Sequence, residues 1–140
     1  MEYENDIENF IKMGIELRFK NFEKEKENAL NAFLMALELM DVFYKSSAHM
    51  NYVKCFLNIG EIYLWVENND VAKSYFLKAI DILNIIDSEC TSEERIACYD
   101  GLYQIYVDID DYDTAYEYLE KMMIIRSGFT CNDEEDEGDW

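Results

Sequence analysis

Proline is absent from this 140-residue chain, so nothing in it forces a helix to break. That suits long continuous helices and argues against a β-rich chain punctuated by proline turns. Basic residues are scarce, 12 Lys and Arg against 31 Asp and Glu, for a formal charge of −19. Such a field repels nucleic acid and anionic membrane surfaces and favours basic partners. Histidine occurs once, at His49, and no two of the cysteines Cys55, Cys90, Cys98 and Cys131 form a C-x-x-C pair. No metal site is therefore expected. The five glycines form no phosphate-binding loop, and no nucleophile motif is present. "DIDDYD" (108–113) lacks the central Gly and the terminal Glu of a calcium loop and reads as a turn with an N-cap. No cofactor and no enzymatic activity are expected. No apolar run approaches the ~20 residues that span a bilayer, so no membrane insertion is expected. "MEYENDIENF" has no basic region followed by an apolar stretch, so no secretory signal is expected. The expected location is the cytoplasm, or the nucleus, with reduced thiols.

What the chain does have is a 50% apolar composition arranged in a repeat. Ala29, Ala72 and Ala115 are spaced 43 residues apart. Phe33, Phe76 and Leu119 keep that spacing, as do Ala36, Ala79 and Met122, and Leu37, Ile80 and Met123. The preceding segments follow: Phe56, Ile59, Gly60 and Tyr63 align with Tyr99, Leu102, Tyr103 and Tyr106. Phe10, Met13, Gly14 and Leu17 align with a shift of three residues, which a longer turn at "KNFEKEKEN" is expected to absorb. The period implies six helices, near 4–20, 26–45, 49–67, 71–87, 92–109 and 112–127. Asp70, Thr91 (with Glu94 in a capping box) and Asp111 are the expected N-caps of the last three, and Gly128 the expected left-handed C′ residue. A glycine inside a helix costs about 1 kcal/mol relative to alanine. Gly60 is therefore expected to mark a close approach, with the partner helix closing onto it near Ala72, and Tyr63 and Phe76 filling in beside the contact.

The second copy, Phe56, Ile59, Gly60, Tyr63, Ala72, Phe76 and Ala79, resembles the tetratricopeptide repeat. That family's pattern is bulky, bulky, small, aromatic, then small, aromatic, small. The third copy departs from it at Tyr103 and Met122, and the first fits across the three-residue shift. The family's usual repeat is ~34 residues. At 43 residues this one is similar to the longer repeats of kinesin light chains, SNAP adaptors and related scaffolds. The resemblance implies an all-α solenoid of three antiparallel helix pairs, at about 4–45, 49–87 and 92–127. The repeat domain would span 1–128, with an acidic disordered tail at 129–140.

The resemblance also implies a concave groove lined by the first helix of each pair. The groove residues it points to are Phe19, Lys54, Leu57, Asn58, Glu61, Trp65 and Gln104, with Trp65 and Phe19 at equivalent positions. The family's clamp for terminal carboxylates maps onto Ile11, Ile15, Asn58, Ala97 and Gly101, of which only Asn58 fits, so binding to acidic chaperone tails is not expected. A repeat array needs a polar covering at its ends, and the run Met122–Ile125 is expected to be partly buried within the last pair and partly left bare. A bare end invites a partner or a second copy, and Phe129 with the tail folding back is the competing outcome. The expected function is a non-enzymatic adaptor or subunit of a larger complex, binding a protein or peptide with a basic surface through the groove and the bare end. An alternative places function in the tail, where Asp133, Glu134, Glu135, Asp136, Glu137, Asp139 and Trp140 resemble tryptophan-acidic motifs. The protein would then inhibit or mimic by docking on a basic protein surface.

Overall fold

The computed structural model of the protein describes residues 2–20, 22–45, 47–86 and 91–127, with side chains from Glu4 onward. Gly128, Phe129, the tail residues 130–140, Cys90 and Cys131 lie outside the described residues. Among the described residues the fold is all-α, with six helices: α1 (Glu2–Arg18), α2 (Glu23–Phe43), α3 (Met50–Trp65), α4 (Asn69–Ile86), α5 (Ser92–Asp108) and α6 (Tyr112–Arg126).

Burial follows the helical period. In α2 the buried Ala29, Ala32, Phe33, Ala36 and Met40 recur at three- and four-residue steps, and in α4 Ala72, Phe76, Ala79 and Leu83 do the same. Each helix packs most extensively on its pair partner: α1 on α2, α3 on α4, α5 on α6. The pairs then join through α2–α3 and α4–α5, and α3 also touches both α1 and α5. The backbones of α2, α4 and α6 do not come within 8 Å of one another. The first helices thus form a continuous inner row and the second helices an outer one, a solenoid-like stacking.

The 43-residue period is visible in the packing. Tyr75 stacks between Phe56 and Tyr63, with ring centroids 6.0 Å apart in both contacts. Tyr118 lies between Tyr99 and Tyr106 at 5.9 and 5.8 Å, each ring 43 residues on from its counterpart. Cys55 and Cys98, also 43 apart, are both fully buried. The turns repeat as well. Glu67 and Asp110 adopt φ of 64°, and the next residue's N–H in each case reaches back to a tyrosine carbonyl, Asn68 to Tyr63 and Asp111 to Tyr106, both at 2.9 Å. This is the left-handed helix ending usually made by glycine, here made by acidic residues.

Several sequence expectations are corrected. The close approach at Gly60 is to the Phe76 ring rather than to Ala72: a Cβ on Gly60 would lie 2.9 Å from that ring. A Cβ on Gly101 would lie 2.5 Å from another edge of the same ring, so α3 and α5 both close on Phe76. Gly14 plays the same part against Phe33, at 2.7 Å, which supports the three-residue shift in the first copy. That shift is absorbed in helix rather than in a turn: α2 has 21 residues against 18 in α4 and starts three positions early. Its first turn, "EKEK", consists of strong helix formers. The cap of α4 is Asn68, whose Oδ1 accepts from the Val71 N–H, while Asp70 sits inside the first turn. Thr91 occupies the N-cap position of α5 without a side-chain cap bond. Asp111 caps α6 as expected, accepting from the Thr114 N–H, and His49 caps α3 through Nδ1, accepting from the Asn51 N–H at 3.0 Å while stacked on Tyr44.

Gly101→Ala should lower stability by about 2–3 kcal/mol, because overpacking exceeds the ~1 kcal/mol that alanine gains in a helix. Adding Phe76→Leu should recover part of that loss, read as coupling in a double-mutant cycle of urea midpoints.

Candidate protein-binding surface

The inner row presents two recesses lined only by first helices. One, of about 560 Å³, lies between α1 and α3, with Ile11 and Ile15 as its apolar part and Glu8, Lys12, Glu16, Asn51 and Lys54 around them. The other, of about 310 Å³, spans α1, α3 and α5 and is lined by Arg18, Glu61, Leu64, Trp65, Asp100, Gly101 and Gln104.

The second recess owes its shape to two contacts. The ring of Phe76 beneath Gly101 brings α5 close to α3. The Arg18 guanidinium donates to Glu61 Oε1 at 2.8 Å and ties α1 to α3. Lys26 anchors this end from the α2 side. Its ammonium donates to the Arg18 carbonyl at the end of α1 and lies 5.0 Å from the centroid of the Trp65 ring. A cation on a terminal helix carbonyl and over an indole face is favourable on both counts. Lys26 is itself buried, and burial, then the nearby Arg18 charge, lowers its pKa.

The groove residues expected from sequence separate into two groups. Glu61, Trp65 and Gln104 come together in the second recess, and Lys54 stands on the rim of the first. Trp65 remains 46% exposed although Lys26 covers part of it. Gln104 donates to Asp100 at 2.9 Å. The others are not offered in the recesses. Leu57 is half-buried against the second core cluster. Asn58 is buried and donates its amide to the Lys54 carbonyl within α3, which leaves the carboxylate clamp without its one matching residue. Phe19, past the end of α1, is exposed with the Arg18 guanidinium 4.1 Å from its ring centroid. Sequence reading did not single out Lys26. Its position, 43 residues before Asn69 at the start of α4, marks it as the equivalent of a helix-start residue. The tail residues Asp133, Glu134, Glu135, Asp136, Glu137, Asp139 and Trp140 lie outside the described residues.

Electrostatically the second recess holds two carboxylates and one guanidinium. Burial pushes the Glu61 carboxyl above its ordinary value of 4.5, Arg18 opposes the shift, and Asp100 adds to it. The surplus negative charge sits beside the apolar Leu64 and the indole of Trp65. That combination fits a lysine or arginine side chain, with the stem on apolar surface and the cation near carboxylates. Among the described residues no cluster of His, Cys, Asp and Glu could hold a metal ion, and no helix is long and apolar enough to cross a membrane.

Removing Arg18 leaves Glu61 with burial and Asp100 alone, so its folded pKa rises further. A carboxyl whose folded pKa is raised contributes stability that is full below its unfolded value and is lost as pH rises through the folded one. Arg18→Met should therefore cost about 1–2 kcal/mol near neutral pH and less as the pH falls toward about 5, read from urea midpoints across that range. No family model matches the chain, and no curated protein or solved structure matches it either.

Proposed function

We propose that the protein is a non-enzymatic adaptor or complex subunit. In this reading it is a solenoid of three antiparallel helix pairs, of the tetratricopeptide kind, that binds a segment of a partner protein along the inner row α1, α3 and α5, with the bare last pair as a further contact. The observation that carries the reading is the second recess. It sets an exposed indole and an aliphatic wall beside carboxylates in surplus, on a face built by three helices at once. Exposed aromatic anchors commonly supply most of the binding energy at such surfaces. The formal charge of −19 adds long-range attraction for a basic segment and speeds encounter with it. An extended or helical peptide with an arginine or lysine that reaches the recess is the matching ligand. The family resemblance and the 43-residue recurrence of rings and turns support the same reading.

The test uses a chain lacking residues 129–140, in which Trp65 is the one tryptophan left of two. Titration with lysine- and arginine-rich peptides should change its fluorescence saturably, and glutamate-rich peptides should not. Asp100→Lys should weaken that binding at least tenfold, a loss of about 1.4 kcal/mol or more. If basic peptides bind only the full-length chain, the groove reading fails and the acidic tail is the docking element.

A further inference from the structure

The last helix carries a face that its counterparts use for packing. In α4 the column Lys73, Phe76 and Ile80 meets α5: Lys73 lies over the Tyr106 ring at 5.5 Å, Phe76 is pressed by Gly101, and Ile80 packs on the cluster holding Cys98, Leu102 and Ile105. In α2 the column Leu30, Phe33 and Leu37 belongs to the cluster that includes Tyr52, Cys55, Ile59 and Ile62 of α3. The same column in α6 is Tyr116, Leu119 and Met123, 43 residues further on. There Tyr116 is 59% and Met123 58% exposed, and Tyr112 extends the stripe by one turn at 49%. The opposite end of the array differs, since α1 exposes Asn5, Asp6 and Asn9 around Met13.

We propose that the α6 face seats one amphipathic helix of another protein, flanked by lysine or arginine, in the way α4 seats α5. This rests on the protein-binding reading above and names the partner chemistry of its second contact. The helical shape follows from the column itself, whose two earlier copies are each covered by a helix of this chain. A small residue suits the place where the incoming helix crosses Leu119, as Gly101 does over Phe76. The basic flanks follow from charge. Asp113, Glu117 and Glu120 are exposed on α6, and Asp108 is exposed at the end of α5. A second copy is disfavoured, because pairing α6 with its own image sets Asp113 and Glu120 of each copy along a shared edge, between chains of formal charge −19. The chain's own last eight residues carry six acids and are disfavoured for the same reason.

The probe is a labelled peptide of residues 92–108 carrying Glu93→Lys, Asp100→Lys, Asp108→Lys and Cys98→Ala, titrated with the full-length protein and read by fluorescence anisotropy. Saturable binding is expected, at least tenfold tighter than for the peptide with its acids retained. Tyr116→Glu and Met123→Glu should each weaken it at least tenfold; both side chains are exposed, so circular dichroism should show an unchanged fold. Trp65→Ala and Asp100→Lys in the protein should leave it unchanged, so failure of the groove reading and failure of this one are separable. Four outcomes overturn the inference: no saturable binding, binding indifferent to both α6 variants, a dimer in sedimentation that Met123→Glu splits, or peptide binding only after residues 128–140 are deleted.

Discussion

The spacing of the helix pairs is set where the Phe76 ring lies against Gly60 on α3 and Gly101 on α5. A fully buried phenylalanine contributes about 2–3 kcal/mol by removal from water. Its larger consequence is geometric. Two glycines let two helices close on one ring, and the distance between α3 and α5 follows. The inner row, the recess floored by Gly101, and the seating of the third pair on the second all depend on that contact. In the third pair the sizes are exchanged: Tyr103 stands where Gly60 does, and Leu119 where Phe76 does.

Most of the helical plan could be read from the chain because hydrophobic period and internal repetition report the same thing. The columns through Ala29, Phe33 and Ala36 marked the second helix of each pair, and all six helices are found with ends displaced by a few residues. The departures have physical causes. "EKEK" has no apolar period and read as a turn, yet its helix propensity carries α2 three residues further toward α1. The ends of α3 and α5 were read to within two residues, but the left-handed conformation at Glu67 and Asp110 was hidden because those residues are acidic rather than glycine. The Tyr75 and Tyr118 column stood at the correct spacing, but only the ring contacts show that it holds its two neighbours together. The candidate surface was less legible still. Sequence equivalence assigned Leu57 and Asn58 to the groove, but a residue at the edge of a helix face turns inward or outward according to its neighbours, and both turn inward here. Lys26 could not be found by period, since its role depends on the end of α1 and the far end of α3 meeting at the start of α2.

The acidic character of the chain is not spread evenly in its effects. Carboxylates on outer surfaces stay in water and act mainly through the long-range field. Glu61 is different, because its position between helices makes it depend on Arg18. The buried thiols Cys55 and Cys98 lie at the other extreme: burial pushes both up to about 12, so they remain protonated and unreactive near neutral pH.

The two rows of helices also have a mechanical meaning. The inner helices touch in sequence, while the outer ones leave their backbones apart. A load applied along the array would therefore meet a stiff spine and a compliant back. Bending would open or close the gaps between outer helices first, and the inner spacing, fixed by an aromatic ring between glycines, would change least. The molecule is in this sense a short leaf spring whose inner surface keeps its dimensions while its outer side takes up the strain.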